Sequence, residues 1–177
     1  MNNIYEIKVI DGAEPVSLVT AKEWLRVTTE DDDDVITDLI TVARKRIEAY
    51  TLRSLVTKSI TLTGYVDHNF MLPYAPISQI SAVKYLDGQT VDTGVNEWET
   101  LDPDEYQVIG YNDKQFRPQF TGTYEITYTT TANVDLGLKT DLKRVLLWMY
   151  ENRGDDTDEM PTELMSNAKT LKVLSWV

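Results

Sequence analysis

Four consecutive aspartates, Asp31 to Asp34, form the densest set of metal-ligating side chains in the chain. Calcium takes several carboxylate oxygens, so the run invites a cation-site reading. It lacks the EF-hand pattern, however. No glycine stands at the sixth loop position, and a loop starting at Asp31 puts Val42 where the bidentate glutamate belongs. The aspartates fit better as the acidic N-terminus of a helix, where carboxylates meet the positive end of the macrodipole. A weak cation site and a charged contact with a neighbouring molecule are the other readings.

His68 beside Asp67 has the look of half a catalytic pair. General-base work needs a nucleophile and an orienting group within hydrogen-bond reach, and no GxSxG or other nucleophile motif is present. His68 therefore reads as a loop histidine. Glu97 with Glu99, or Asp102, Asp104 and Glu105, could supply the two carboxylates of a glycosidase, yet an acidic segment produces such pairs by composition alone. Neither GxxxxGK[ST] nor GxGxxG occurs. With zero cysteines, disulfides, thiolate nucleophiles and Cys-bound zinc are excluded. An acid–base hydrolase is thus the weakest class of reading. The chain is expected not to be an enzyme and to need no cofactor or metal.

Among the four tryptophans, Trp24 and Trp148 fall within helical patterns and are expected in the core. Trp98 lies in a polar, acidic segment and Trp176 is next to last, where a large ring finds few neighbours and could anchor a contact. The formal charge of -12 opposes retention of nucleic acid, which needs clustered Lys and Arg. A wall that DNA merely passes is compatible with it, since acidic groups repel phosphate. No apolar run approaches the length of a membrane span. The opening MNNIYEIKVIDGAEP lacks the basic and apolar regions of a signal peptide, so residence in the cytosol where it is made is expected.

These residues need elements to position them. In SLVTAKEWLRV, Thr20 and Glu23 have capping-box spacing and predict a helix of about two turns. After the aspartates, Ile36, Ile40, Ala43, Ile47 and Tyr50 repeat at helical spacing. Arg44, Lys45, Arg46 and Arg53 are then expected on its polar face toward the C-terminal end. From residue 57 the period becomes that of strands: TKSITLTGYV, ISQISAVKYLDG, EYQVIG and TYEITYTT predict four to six strands, with a loop or hairpin over 87–105. Prolines in MLPYAP and FRPQFTG mark edges or crossovers. LKTDLKRVLLWMYENRG restores the helical period through Leu138, Leu142, Val145, Leu146, Met149 and Tyr150, with Gly154 as a stop. Pro161 suits the first turn of a last helix. The expected fold is α+β, a small helical bundle with an inserted antiparallel β module. Its parts are an N-terminal arm at 1–16, a helical pair at 17–56, the insertion at 57–134, and C-terminal helices and tail at 135–177 packing with 17–56.

SLVTAKEWLRVTTEDDDDVITDLITVARKRIEAYTLRSL, from Ser17 to Leu55, resembles the opening of head-tail connector proteins of long-tailed phages. That family shows a serine–leucine start, an AK-x-x-LR segment, an acidic turn and a long helix ending in E-A-Y-T. The resemblance continues in MLPYAPISQISAVKYLDG, LDPDEYQV and ITYTT. It extends to LKRVLLWMYENRGDD, from Leu142 to Asp156, similar to a helix that ends in Y-E-N/H-R. What the resemblance implies is a structural virion protein of the neck, made in the host bacterial cytoplasm. Its implied state is a ring of about twelve copies that docks beneath the portal and receives the tail or a stopper protein. DNA would pass through without specific binding. The family has no catalytic residues to transfer. Its C-terminal segment reaches the portal, which by region makes Leu171, Leu174, Trp176 and Val177, with Trp98, the candidate partner contacts. In such a ring, Asp31, Asp32, Asp33 and Asp34 of one subunit could face Arg44, Lys45, Arg46 or Arg53 of the next. The rival class is a binding module that recognises another protein or a glycan through the Trp98 loop.

Overall fold

A computed structural model describes residues 3–86, 98–132, 134–153 and 161–170. The fold is α+β, with helices α1 (Leu18–Leu25), α2 (Asp33–Thr51), α3 (Leu136–Glu151) and α4 (Ser166–Thr170). The strands are β1 (Asn3–Asp11), β2 (Lys58–Val66), β3 (Phe70–Met71), β4 (Ile77–Leu86), β5 (Trp98–Thr100), β6 (Tyr106–Ile109), β7 (Gln115–Pro118) and β8 (Gly122–Thr130). They fall into two compact units: one from the described residues of Met1–Gly12 and Thr57–Ala132, the other from those of Ala13–Val56 and Asn133–Val177.

In the helical unit, the apolar stripe of α2 buries Ile36, Ile40, Ala43 and Ile47 against Leu138, Leu142, Val145 and Leu146 of α3. Tyr50, Met149 and Tyr150 pack at the margin. α1 is capped one turn earlier than the Thr20–Glu23 spacing suggests. The Ser17 hydroxyl accepts from the Thr20 amide at 3.2 Å, which puts Thr20 at the third helical position. α3 starts on Asp135, whose carboxylate accepts from the Leu138 amide at 2.7 Å. α2 has Asp33 and Asp34 in its first turn and no basic residue in its last, because it ends at Thr51, short of Arg53. Its C-cap, Leu52, takes the left-handed conformation in place of the usual glycine. Pro161 precedes a 3-10 turn, Thr162–Met165, that runs into α4. Gly154 lies outside the described residues.

The β unit is two antiparallel sheets. Five strands run in the order β1-β2-β8-β4-β5 and three in the order β3-β7-β6. Alternation drives the burial: Ile60, Leu62 and Val66 of β2 and Tyr124, Ile126 and Tyr128 of β8 point to one side. Phe116 of the small sheet packs there, its ring 5.5 Å from Tyr124 and 5.9 Å from Phe70.

Two expectations change. The segment 1–16, read as an arm, contributes β1, paired with β2 from Asn3↔Tyr65 to Asp11↔Lys58. The described residues from 57 onward carry seven strands, more than the sequence pattern indicates, because β3, β5 and β7 are too short to show a period. In β4, register shifts after Ile77 and Ile80 break the simple alternation, and only Ile77 and Val83 are fully buried. The Asp87-Gly88 turn lies outside the described residues.

Gly110 closes β6 with φ 107, and an added Cβ would stand 2.3 Å from the Asp113 carbonyl oxygen. Gly110→Ala is expected to lower stability by about 2–3 kcal/mol, read from urea denaturation followed by circular dichroism.

Candidate functional site

The aspartate run does not act as one group. Asp32 accepts a hydrogen bond from the Tyr150 hydroxyl at 2.5 Å and contacts the Arg153 guanidinium at 3.4 Å, which joins the start of α2 to the end of α3. Arg153 also stacks on the Tyr150 ring at 4.0 Å. The Tyr150 hydrogen bond, helped by Arg153 and opposed by desolvation, holds the Asp32 carboxyl below its ordinary 3.8. The same bond pushes the Tyr150 phenol above 10.0. Asp33 pairs with Lys22 of α1 at 2.5 Å. Asp31 and Asp34 are exposed. Among the described residues, no group of three or more His, Asp or Glu side chains is placed to hold a metal ion.

Arg44 is the largest correction among the basic residues. Expected on a polar face, it is 1% exposed and saturated by its own chain. Nε and Nη2 donate to the Glu14 carboxylate at 2.8 and 3.0 Å, and Nη1 donates to Glu48 at 2.7 Å. Glu48, 3% exposed, accepts the Leu55 amide on its other oxygen at 2.8 Å. Arg44 is therefore withdrawn from any neighbour. The i,i+4 spacing of Arg44 and Glu48 is a sequence signal for this pair; Glu14, thirty positions earlier, gives none. Lys45 is exposed, while Arg46 and Arg53 are half-buried.

Sequence reasoning also missed Asp141. Fully buried on α3, it accepts the Asn167 and Ala168 amides at 2.8 Å each and the Asn167 side chain at 2.7 Å. That caps α4 and fixes the chain just ahead of Leu171, Leu174, Trp176 and Val177, which lie outside the described residues.

The exposed surface of the helical unit is partly apolar. Val35 and Val42 stand on the solvent side of α2 and Val19 on α1. Trp24, expected in the core, is 42% exposed beneath the Lys143 ammonium and lines an open cleft with Glu23, Leu25, Arg26, Leu147 and Glu151. Trp148 is half-buried. In the β unit, Trp98 opens the exposed edge strand β5 opposite Leu86. His68 is exposed, with Nδ1 against the Asp67 carboxylate. Glu97 lies outside the described residues. Glu105 caps its own turn by accepting the Asp102 amide, so the Asp102, Asp104 and Glu105 cluster is a turn motif.

Of the residues singled out from the sequence, the structure thus leaves Trp24, Trp98, Lys45, Asp31 and Asp34 at the surface. Residues 15–112 match the model of the phage gp6-like head-tail connector protein family. The chain belongs to that family. The match spans α1, α2 and the strands β2 to β6. Chains in three solved structures cover 96% of this chain over 97% of their own length. They come from the neck of an empty gene transfer agent particle with C6 symmetry (TM-score 0.72, 16% identity), the virion of a native particle (0.70, 16%) and the neck of a native particle with C12 symmetry (0.66, 15%). At such identity they establish the connector's fold. No curated protein matches the sequence significantly.

Arg44→Met leaves Glu48 buried without its cation and is expected to cost about 3–5 kcal/mol in chemical denaturation. Tyr150→Phe tests the Asp32 contact. A carboxyl below its unfolded value stabilises above that value and loses the contribution as pH falls through the folded one. A phenol raised above its unfolded value loses its contribution as pH rises through the folded one. The difference in melting temperature between Tyr150→Phe and the parent is expected to be largest between about pH 5 and 9 and to shrink on both sides.

Proposed function

We propose that this connector is one subunit of a ring of about twelve copies that docks beneath the portal and joins it to the tail or a stopper protein while DNA passes through. Membership of the head-tail connector family, with a fold shared along 96% of the chain with a neck protein, is the observation that carries this reading. The net charge of -12 supports it, since acidic groups around a channel repel phosphate and limit sticking.

The ring contact is narrower than the sequence alone indicates. Heterologous neighbours need two complementary patches. With Arg44, Asp32 and Asp33 engaged inside the subunit, Asp31 and Asp34 of one copy face Lys45 of the next, with Arg46 and Arg53 flanking it. Val35 and Val42 supply apolar area on the same helix. The segment holding Leu171, Leu174, Trp176 and Val177 reaches the portal from the anchor that Asp141 provides.

The test is the mass of the purified chain alone and after mixing with its portal ring. The expected outcome is a complex carrying a full set of subunits; failure to bind the portal overturns the reading. Lys45→Glu is expected to weaken assembly about tenfold at low salt and less at high salt. Deleting 171–177 is expected to abolish portal binding while leaving the cooperative unfolding of the remainder in place, read from thermal denaturation.

A further inference from the structure

Strand β1 is the longer open edge of the five-stranded sheet, nine residues against three in β5. Among the described residues only β2 pairs with it, and residues 6–11 are all exposed. The register assigns their faces. Ile7 lies opposite Leu62 and Val9 opposite Ile60, on the side that is buried core in β2, yet they are 41% and 39% exposed. Glu6, Lys8 and Ile10 lie on the other side, opposite Thr63, Thr61 and Ser59. Proteins usually blunt such edges by shortness, proline or bulges. Beyond the irregularity between Ile4 and Glu6, this run is regular and proline-free.

The edge is complementary to itself in one register. We propose that β1 pairs antiparallel with β1 of a second copy of this chain, about a two-fold axis between the two Ile7 residues. Glu6 then stands opposite Lys8 of the second copy, Lys8 opposite its Glu6, and Ile7 against Ile7. Opposite charges and apolar pairs across strands stabilise; like charges destabilise. The neighbouring registers fail on that criterion. Centring on Lys8 sets lysine against lysine, and centring on Glu6 sets glutamate against glutamate. The chosen register also covers Ile7 and Val9 and gives the outward backbone groups of β1 their partners.

The contact is isologous, with the same patch on both copies, whereas neighbours in a cyclic ring meet through two different patches. It therefore belongs to the free protein and does not depend on the ring contact.

Sedimentation equilibrium of the full chain tests it. The parent is expected to show a monomer–dimer equilibrium. Glu6→Lys turns two attractive cross-strand pairs repulsive and should raise the dimer Kd about tenfold, as should Lys8→Glu. The double variant Glu6→Lys/Lys8→Glu restores the pairs with signs exchanged and should recover the parent Kd. Both side chains are exposed, so thermal unfolding checks that each variant is folded. A parent that stays monomeric, a dimer indifferent to either single reversal, or a double variant that does not recover would each overturn the proposal.

Discussion

An arginine taken out of water loses hydration that only saturated, charge-assisted hydrogen bonds can offset. Arg44 meets that condition with two carboxylates, Glu48 one turn along α2 and Glu14 on the segment leading into α1. Glu14 also accepts from the Thr41 hydroxyl, and Glu48 also accepts from the Leu55 amide. One buried guanidinium thus fixes three segments: the chain as it enters the helical unit, the middle of α2, and the chain just before it leaves for β2. Removing any member strands a charge in the interior, so the group holds as a unit.

The helical unit depends on such pins because its sequence is split. Residues 13–56 and those from 133 onward are separated by the whole of the segment 57–132. Apolar burial between α2 and α3 draws them together but is non-directional and tolerates sliding. Direction comes from the polar contact of Asp32, at the start of α2, with Tyr150 and Arg153 at the end of α3, while Asp141 ties α4 to α3 through Asn167 and Ala168. The β unit solves the same problem with rings. Tyr124 and Tyr128 bury their bodies and hand their hydroxyls to the Phe120 and Pro73 carbonyls. Burial pushes both phenols up, which keeps their hydroxyls protonated as hydrogen-bond donors to those carbonyls.

What the sequence made legible is what repeats. The stripe Ile36, Ile40, Ala43, Ile47 and its counterpart Leu138, Leu142, Val145, Leu146 located both long helices and their buried faces. Alternation located β2 and β8. Non-local events left no period to read. Arg44 carries the charge of a surface residue, and its burial follows from a glutamate thirty positions away. Trp24 has the size of a core residue, but the short α1 holds it over Lys143 at the surface. β1 did carry a signal, the alternation Glu6, Ile7, Lys8, Val9, but it spans only a few residues of a segment read as an arm, and its edge position leaves both faces exposed.

The charges of this chain divide between those that hold the fold and those that face outward. In this chain the buried charges serve the fold. Arg44 and Glu48 pair with each other and with the Glu14 carboxylate and the Leu55 amide, Asp141 caps α4, and Lys58 pairs with Asp11 over the Tyr74 ring. What faces outward includes apolar side chains and charges of both signs: Val19, Val35 and Val42 on the helices, Ile7, Val9, Ile10 and Lys8 on β1, and Asp31, Asp34 and Lys45 on or beside α2. A subunit whose interior polar groups are satisfied can meet partners through its exterior without reorganising its core. That division suits a connector, whose contacts form while its own geometry must hold.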